Sequence, residues 1–324
     1  MPIIATSTYR PHTYLGHHHV QTVYPTLFRR VPVLNYQRQR LELDDGDFLD
    51  LDWSAAGAQP SDRVVIMCHG LESSSNAHYI RGMTYALNAA GVDVVCMNFR
   101  GCSGEPNRLL RSYHSGVTED LRSVLAAVRH ADLAAGKPRA ISLIGFSLGG
   151  NVILKCLGEG EGLAGVMNAV VLSVPCDLAS SATRLMQGFN QVYMRRFIKF
   201  LVAKLAIKNQ VLGAQFDLDA FRRMRTFAEF DAAYTAPQHG YASAAKYWQQ
   251  CSSRYYLSGI RVPTLLLNAG DDPFLTPACY PWEQARDHAY LHLEVPRHGG
   301  HVGFIARNNR GRYWHEERAL AFLA

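Results

Sequence analysis

From Arg63 onward, short and almost unbroken apolar runs alternate with longer stretches whose apolar residues recur every three or four positions. The runs are RVVIMC from Arg63, VDVVCMN from Val92, AISLIG from Ala140, AVVLSV from Ala169, PTLLLN from Pro263 and YLHLEV from Tyr290. Continuous rather than alternating hydrophobicity suits a strand whose sheet is covered on both faces. Between these runs, the segments 78–90, 116–135 and 148–157 carry the helical period. Gly91 stands where the first of these helices needs a C-terminal cap, and Gly136-Lys137-Pro138 closes the second. Short links between alternating strands and helices imply right-handed crossovers and a parallel sheet. Ahead of this region, LELDDGDFLDLDW sets an Asp-Gly turn between two alternating runs, which predicts an antiparallel hairpin at the start of the sheet. The fold class is α/β: a mostly parallel, doubly covered sheet forming a single domain over residues 1–324, which includes an N-terminal arm over 1–40.

The alternation stops between residues 175 and 258, where only helical pattern remains. In open α/β sheets ligands bind outside the C-terminal ends of the strands, so an insertion there is predicted to form a helical cap over a site. Within it, Val192–Ile207 places Met194, Phe197, Ile198, Leu201, Val202 and Leu205 on one face, with Arg195, Arg196, Lys199 and Lys204 mostly elsewhere. Such a basic amphipathic helix either packs on the core or touches a membrane surface transiently, and the pattern alone leaves both open.

Composition narrows the function classes. Apolar residues make up 48% of the 324 residues, which excludes disorder, and charged residues only 19%, which points to a large core and an apolar cleft. The net charge of +6 comes from scattered Lys and Arg rather than a basic stripe, so no nucleic-acid partner is expected. Seven cysteines form no CxxC pair, and several lie inside apolar runs, as free thiols in a reducing compartment do. The first residues lack the apolar core of a secretory signal, and no run approaches the ~18 residues of a membrane span. A cytoplasmic location is therefore expected. No GxGxxG or GxxxxGK[ST] fingerprint is present, so no nucleotide cofactor is implied.

The sharpest chemical signal is Gly145-Phe146-Ser147-Leu148-Gly149-Gly150, which follows the run AISLI and opens a helical pattern. A nucleophile on a tight strand-to-helix turn needs small neighbours two residues to either side. The helix N-terminus then offers a backbone N–H and a positive dipole end to a developing oxyanion. A serine needs a base, and the base needs an orienting carboxylate, here in the order Ser, Asp, His. PTLLLN runs into Asp271-Asp272-Pro273, and YLHLEV runs into His298-Gly299-Gly300-His301. Asp272 is preferred over Asp271 because Pro273 fixes its backbone, and His301 over His298 because it lies deeper in the glycine loop. His298 and His301 lack a third ligand, so no metal is expected. The triplet His17-His18-His19 reads as packing. The oxyanion hole is assigned to the backbone N–H groups of Leu71, in the His69-Gly70-Leu71 turn after RVVIMC, and of Leu148. Ser73, Ser74 and Ser75 form a polar loop expected to cap the helix starting at His78. Cys102 lies in a strand-end loop without an evident base.

Taken together, HGLESSSNAHYI, NFRGCSGEPNR, YHSGVTEDL, GFSLGGN, NAGDDPF and HGGHVGF resemble the YheT-like branch of the α/β-hydrolase superfamily. The segment around His19, Gln21 and Thr22 and the stretch FDAAYTAPQHGYASAAKYW from Phe230 extend the resemblance over nearly the whole chain. It implies Ser147 as nucleophile, Asp272 as orienting acid and His301 as base, with no cofactor. It also implies an ester substrate, since relatives are described as acting on phospholipid or medium-chain acyl esters, some yeast relatives making fatty-acid ethyl esters. The expected function is hydrolysis of carboxylic esters of short to medium acyl chains. The alternatives are transfer of the same acyl group to an alcohol, or a non-catalytic binding protein that keeps the fold. Tyr113-His114-Ser115-Gly116 and Asp231, Tyr234 and His239 match the branch without a chemical role, so packing of the cap on the core is their default reading. The sequence specifies no oligomeric state.

Overall fold

The structure is a computed structural model and describes residues 3–306 and 311–324. Nine strands form one sheet: β1 (Ile3–Ile4), β2 (Gln37–Glu42), β3 (Phe48–Ser54), β4 (Arg63–Cys68), β5 (Asp93–Asn98), β6 (Ala140–Phe146), β7 (Val166–Leu172), β8 (Thr264–Leu267) and β9 (Leu291–Glu294). Their spatial order is β1-β9-β8-β7-β6-β4-β5-β3-β2. The β2–β3 hairpin and the β3–β5 pair are antiparallel, and every other pair is parallel. Strand order reverses beside β4, which pairs with β5 on one side and β6 on the other. That is where the C-terminal strand ends open a crevice in such a sheet.

Both faces are covered, as the unbroken apolar runs require. On one face, α2 (His78–Asn88) and the C-terminal helix Trp314–Leu323 pack over Val65, Met67, Val94 and Ile144. On the other, α3 (Thr118–Ala134) and α4 (Leu148–Glu159) bury Leu121, Val124, Leu125 and Val152 against Ile66, Val95 and Leu143. Burying each such side chain contributes roughly 1.5–3 kcal/mol. Gly91 and Gly136 adopt the left-handed φ values of +77° and +64° expected of residues that stop a helix.

Between β7 and β8 the described elements are helical throughout, beginning with α5 (Leu178–Leu185) and the long α6 (Gln191–Leu212). Met194, Ile198, Val202 and Leu205 of α6 are buried in an apolar cluster of their own with Phe221, Phe230 and Phe274. Among the described residues no helix is long and apolar enough to cross a membrane.

Some details differ from the sequence expectation. Helix α1 (His18–Phe28), the two-residue strand β1 and the C-terminal helix had no signal strong enough to name. β7 begins at Val166, earlier than the run at Ala169, because pairing with β6 carries a half-exposed Met-Asn start into the ladder. The serine loop does not cap α2, whose N-cap is Ala77. Instead Ser75 Oγ donates to the buried Asp52 carboxylate (2.5 Å), and Ser73 Oγ accepts from Tyr79 OH (2.8 Å).

Candidate active site

Ser147 sits on the turn from β6 into α4 with φ +51° and ψ −119°, a left-handed conformation that a non-glycine residue adopts only under constraint. The constraint is local. Ser147 N–H donates to Leu172 O of the neighbouring strand (2.8 Å). A Cβ on Gly145 would lie 2.7 Å from Gly149 O, and one on Gly149 would lie 2.4 Å from Cys68 O. The glycines two residues to either side are therefore demanded by backbone crowding.

Ser147 Oγ lies 3.0 Å from His301 Nε2. On the far side of the ring, Nδ1 lies 2.9 and 3.1 Å from the two oxygens of Asp272, whose side chain is fully buried. With the Nδ1 proton donated to the carboxylate, Nε2 is left as acceptor for the serine hydroxyl. Phe274 packs on the imidazole at 4.2 Å between ring centres and fixes its plane. The adjacent pair is arranged separately: Asp271 contacts His298 Nδ1 (3.1 Å) and accepts from Gly300 N–H (2.9 Å). The structure thus brings Ser147, His301 and Asp272 into one line and gives Asp271 to the loop behind it.

The histidine loop is held from elements that sequence reasoning left without roles. His301 N–H donates to Thr22 Oγ1 (2.9 Å), Ile305 N–H to Gln21 Oε1 (2.8 Å) and Val302 N–H to Ser173 Oγ (2.9 Å). Val302 and Phe304 have positive φ, so these bonds restrain a strained segment. The signal for Gln21 and Thr22 was their place in a recurring motif, and spacing along the chain cannot say what a motif touches.

Leu71 follows β4 and lines the same pocket as Ser147, Leu148 and His301. Leu148 N–H is a first-turn amide of α4, which no carbonyl of the helix can satisfy. Among the described residues Leu71 N–H has no protein acceptor. The pocket encloses about 1000 Å³, counting its open mouth. Its apolar wall is supplied by the β7–β8 insertion, with Leu178, Leu185, Phe197, Leu201 and Phe227.

Polar groups line the remainder. Burial pushes the Asp231 carboxyl up to about 6, against the lowering effect of hydrogen bonds from Thr235 Oγ1 (2.6 Å) and Trp248 Nε1 (2.8 Å). Burial also holds His114 well below the ordinary histidine range, so it is neutral. The Tyr113–Gly116 motif packs the insertion on the core: Ser115 N–H donates to Tyr247 OH (2.9 Å), and a Cβ on Gly116 would lie 2.3 Å from Cys251 Sγ. Lys204 departs from the sequence expectation. It points inward from α6 and pairs with Glu72 at 2.9 Å, because residue 204 shares the helix face of Leu201 and Leu205. Among the described residues no group of three His, Cys, Asp or Glu side chains could hold a metal ion. The His17 and His18 rings stack, the His19 ring lies tilted against His18, and His19 also packs on Phe189. All seven cysteines are free thiols.

The α/β hydrolase fold family matches residues 63–307 of the chain. An Escherichia coli protein named "Putative esterase YheT" is 41% identical over 89% of this chain and 84% of its own length. The mouse protein named phospholipase ABHD3 is 28% identical over 93% of this chain and 74% of its own. A solved structure of the Pyrococcus furiosus esterase Pf2001 superposes with a TM-score of 0.58 at 20% identity, covering 91% of this chain and 97% of that one.

Proposed function

The chain belongs to the α/β-hydrolase fold family, and from that premise we propose that it is a serine hydrolase of carboxylic esters with short to medium acyl chains. The observation that carries this reading is the 3.0 Å contact from Ser147 Oγ to His301 Nε2, backed by Asp272 and opening into an apolar pocket. Ser147 Oγ attacks the ester carbonyl while His301 Nε2 takes its proton. The Leu71 and Leu148 N–H groups receive the oxyanion, each donor contributing about 3–4 kcal/mol. Collapse of the tetrahedral intermediate breaks the bond to the alcohol, which leaves with the His301 proton. Water, deprotonated by His301, then attacks the acyl-enzyme and releases the acid and Ser147. Residues 175–258 serve as the cap, and their apolar wall receives the acyl chain. The names of the Escherichia coli and mouse relatives, an esterase and a phospholipase, support an ester over an amide or a glycoside.

The test is hydrolysis of p-nitrophenyl esters of graded acyl length. Turnover is expected to peak at one length between about four and ten carbons, as a closed apolar wall would impose. Rates that rise without limit with chain length would overturn the pocket assignment. Preferential formation of an ethyl ester when ethanol competes with water would reassign the protein as an acyltransferase.

The exposed side of α6 carries Val192, Arg195, Arg196, Lys199, Phe200 and Ile207, with no acidic residue over Gln191–Leu212. We further propose that this side meets anionic membrane surfaces, each cation contributing about 1 kcal/mol. Replacing Arg195, Arg196 and Lys199 with Gln should weaken co-sedimentation with phosphatidylserine-containing vesicles by roughly 100-fold. Unchanged binding, or none by the wild type, would remove the membrane from the picture.

A further inference from the structure

The turn that carries Leu71 is fastened to the insertion by a buried ion pair. Lys204 Nζ of α6 lies 2.9 Å from Glu72 Oε1, and the two side chains are only 13% and 7% exposed. Glu72 is held at two further points, since its N–H donates to Tyr113 OH (2.7 Å) and Tyr113 OH donates to its Oε1 (2.8 Å), and its backbone sits at φ +49°. Lys204 Nζ also lies 4.8 Å over the Tyr113 ring and 3.2 Å from Cys102 Sγ. A left-handed glutamate does not hold its conformation unaided, and buried charges that lack partners are costly. Elsewhere on α6, Arg195, Arg196 and Lys199 point to solvent, while Lys208 is buried one turn further on with Nζ 2.7 Å from Asn107 Oδ1, so Lys204 is the α6 cation that reaches the Leu71 turn.

We propose that Lys204 is a positioning residue: acting through the Glu72 carboxylate, it fixes the turn that presents Leu71 N–H, so that the oxyanion pocket is complete only when the insertion is docked. The inference rests on the serine-hydrolase reading above. It assigns the insertion a part in the chemical step as well as in forming the pocket wall. Interactions that matter only as charge develops lower kcat when lost and leave KM nearly unchanged. Misplacing one donor of an oxyanion hole by a fraction of its bond length costs on the order of 10- to 100-fold in rate.

Three variants test this on a p-nitrophenyl ester, with thermal unfolding followed alongside. Lys204→Met is expected to lower kcat about 30-fold and change KM less than about threefold. Lys204→Arg, which can still reach the carboxylate, should recover most of the loss. The double variant Glu72→Gln/Lys204→Met leaves no unpaired buried charge and carries the test if Lys204→Met alone does not fold. It should stay as slow as Lys204→Met, because the fastening is still missing. Return of the double variant to wild-type kcat would overturn the proposal, leaving Lys204 only the cancelling of a charge near the oxyanion. Wild-type kcat in Lys204→Met would likewise overturn it. Absence of Ser147-dependent turnover in the wild type would remove the hydrolase reading and this proposal together, whereas the preceding results leave that reading standing.

Discussion

Ser147→Ala is expected to lower kcat for p-nitrophenyl butyrate by about 10⁵- to 10⁶-fold, the loss seen when an activated serine is removed from a preorganised site. The effect is large because, among the described residues, Ser147 Oγ is the hydroxyl that lies 3.0 Å from His301 Nε2, and Ser147 lines the apolar pocket. Alanine meets the same positive-φ penalty that Ser147 already bears, so the melting temperature should move by no more than a few degrees. Labelling by a fluorophosphonate should disappear in parallel. A variant that keeps more than about 1% of wild-type turnover would mean that another nucleophile carries the reaction, and the assignment of Ser147 would be abandoned.

Asp272→Asn is expected to cost about 10⁴ in kcat, while Asp271→Asn costs less than about threefold. The two aspartates are neighbours in sequence with different partners. Asp272 accepts from His301 Nδ1 and so selects the tautomer in which Nε2 can receive the serine proton. An amide at 272 can offer its NH₂ to Nδ1, which stabilises the opposite tautomer and leaves Nε2 protonated before the reaction starts. Asp271 instead accepts from Gly300 N–H and contacts His298, contacts an asparagine oxygen can largely keep. Steady-state rates of the two variants, measured with the same ester, decide the matter. Equal losses would mean that the loop as a whole, rather than one carboxylate, orients the histidine.

The sheet and much of the site were legible because their determinants are local. Gly145 precedes Ser147 for a reason written within five residues, Gly149 shows through its spacing from the serine although the carbonyl that demands it belongs to Cys68, and both aspartates and both histidines follow strands whose apolar runs are unmistakable. The inward turn of Lys204 was not legible, since a lysine two positions from a polar face reads as solvated until its partner Glu72 is known to lie opposite. Thr22 and Gln21 were visible only as part of a motif, because the amides they receive belong to the other end of the chain. Helix α1 escaped for a related reason. Of its residues only Gln21 and Pro25 are buried, so no apolar stripe marks it. Position 204, helix α1 and the pairing of β1 with β9 each depend on partners far away in sequence, which propensity and periodicity do not encode.

The bond between His301 N–H and Thr22 Oγ1 joins residues 279 positions apart, and β1 closes on β9 across a similar separation. Contacts of such high order form late, after the loop-closure entropy of the intervening chain has been offset by the central sheet. A chain that has already built β4, β6 and α4 therefore presents Ser147 before His301 is in place. On the proposed assignment, reactivity is therefore a late product of folding, reached once residues 291–305 have joined the sheet and the residues 18–22 that hold them, rather than a property of the serine turn itself.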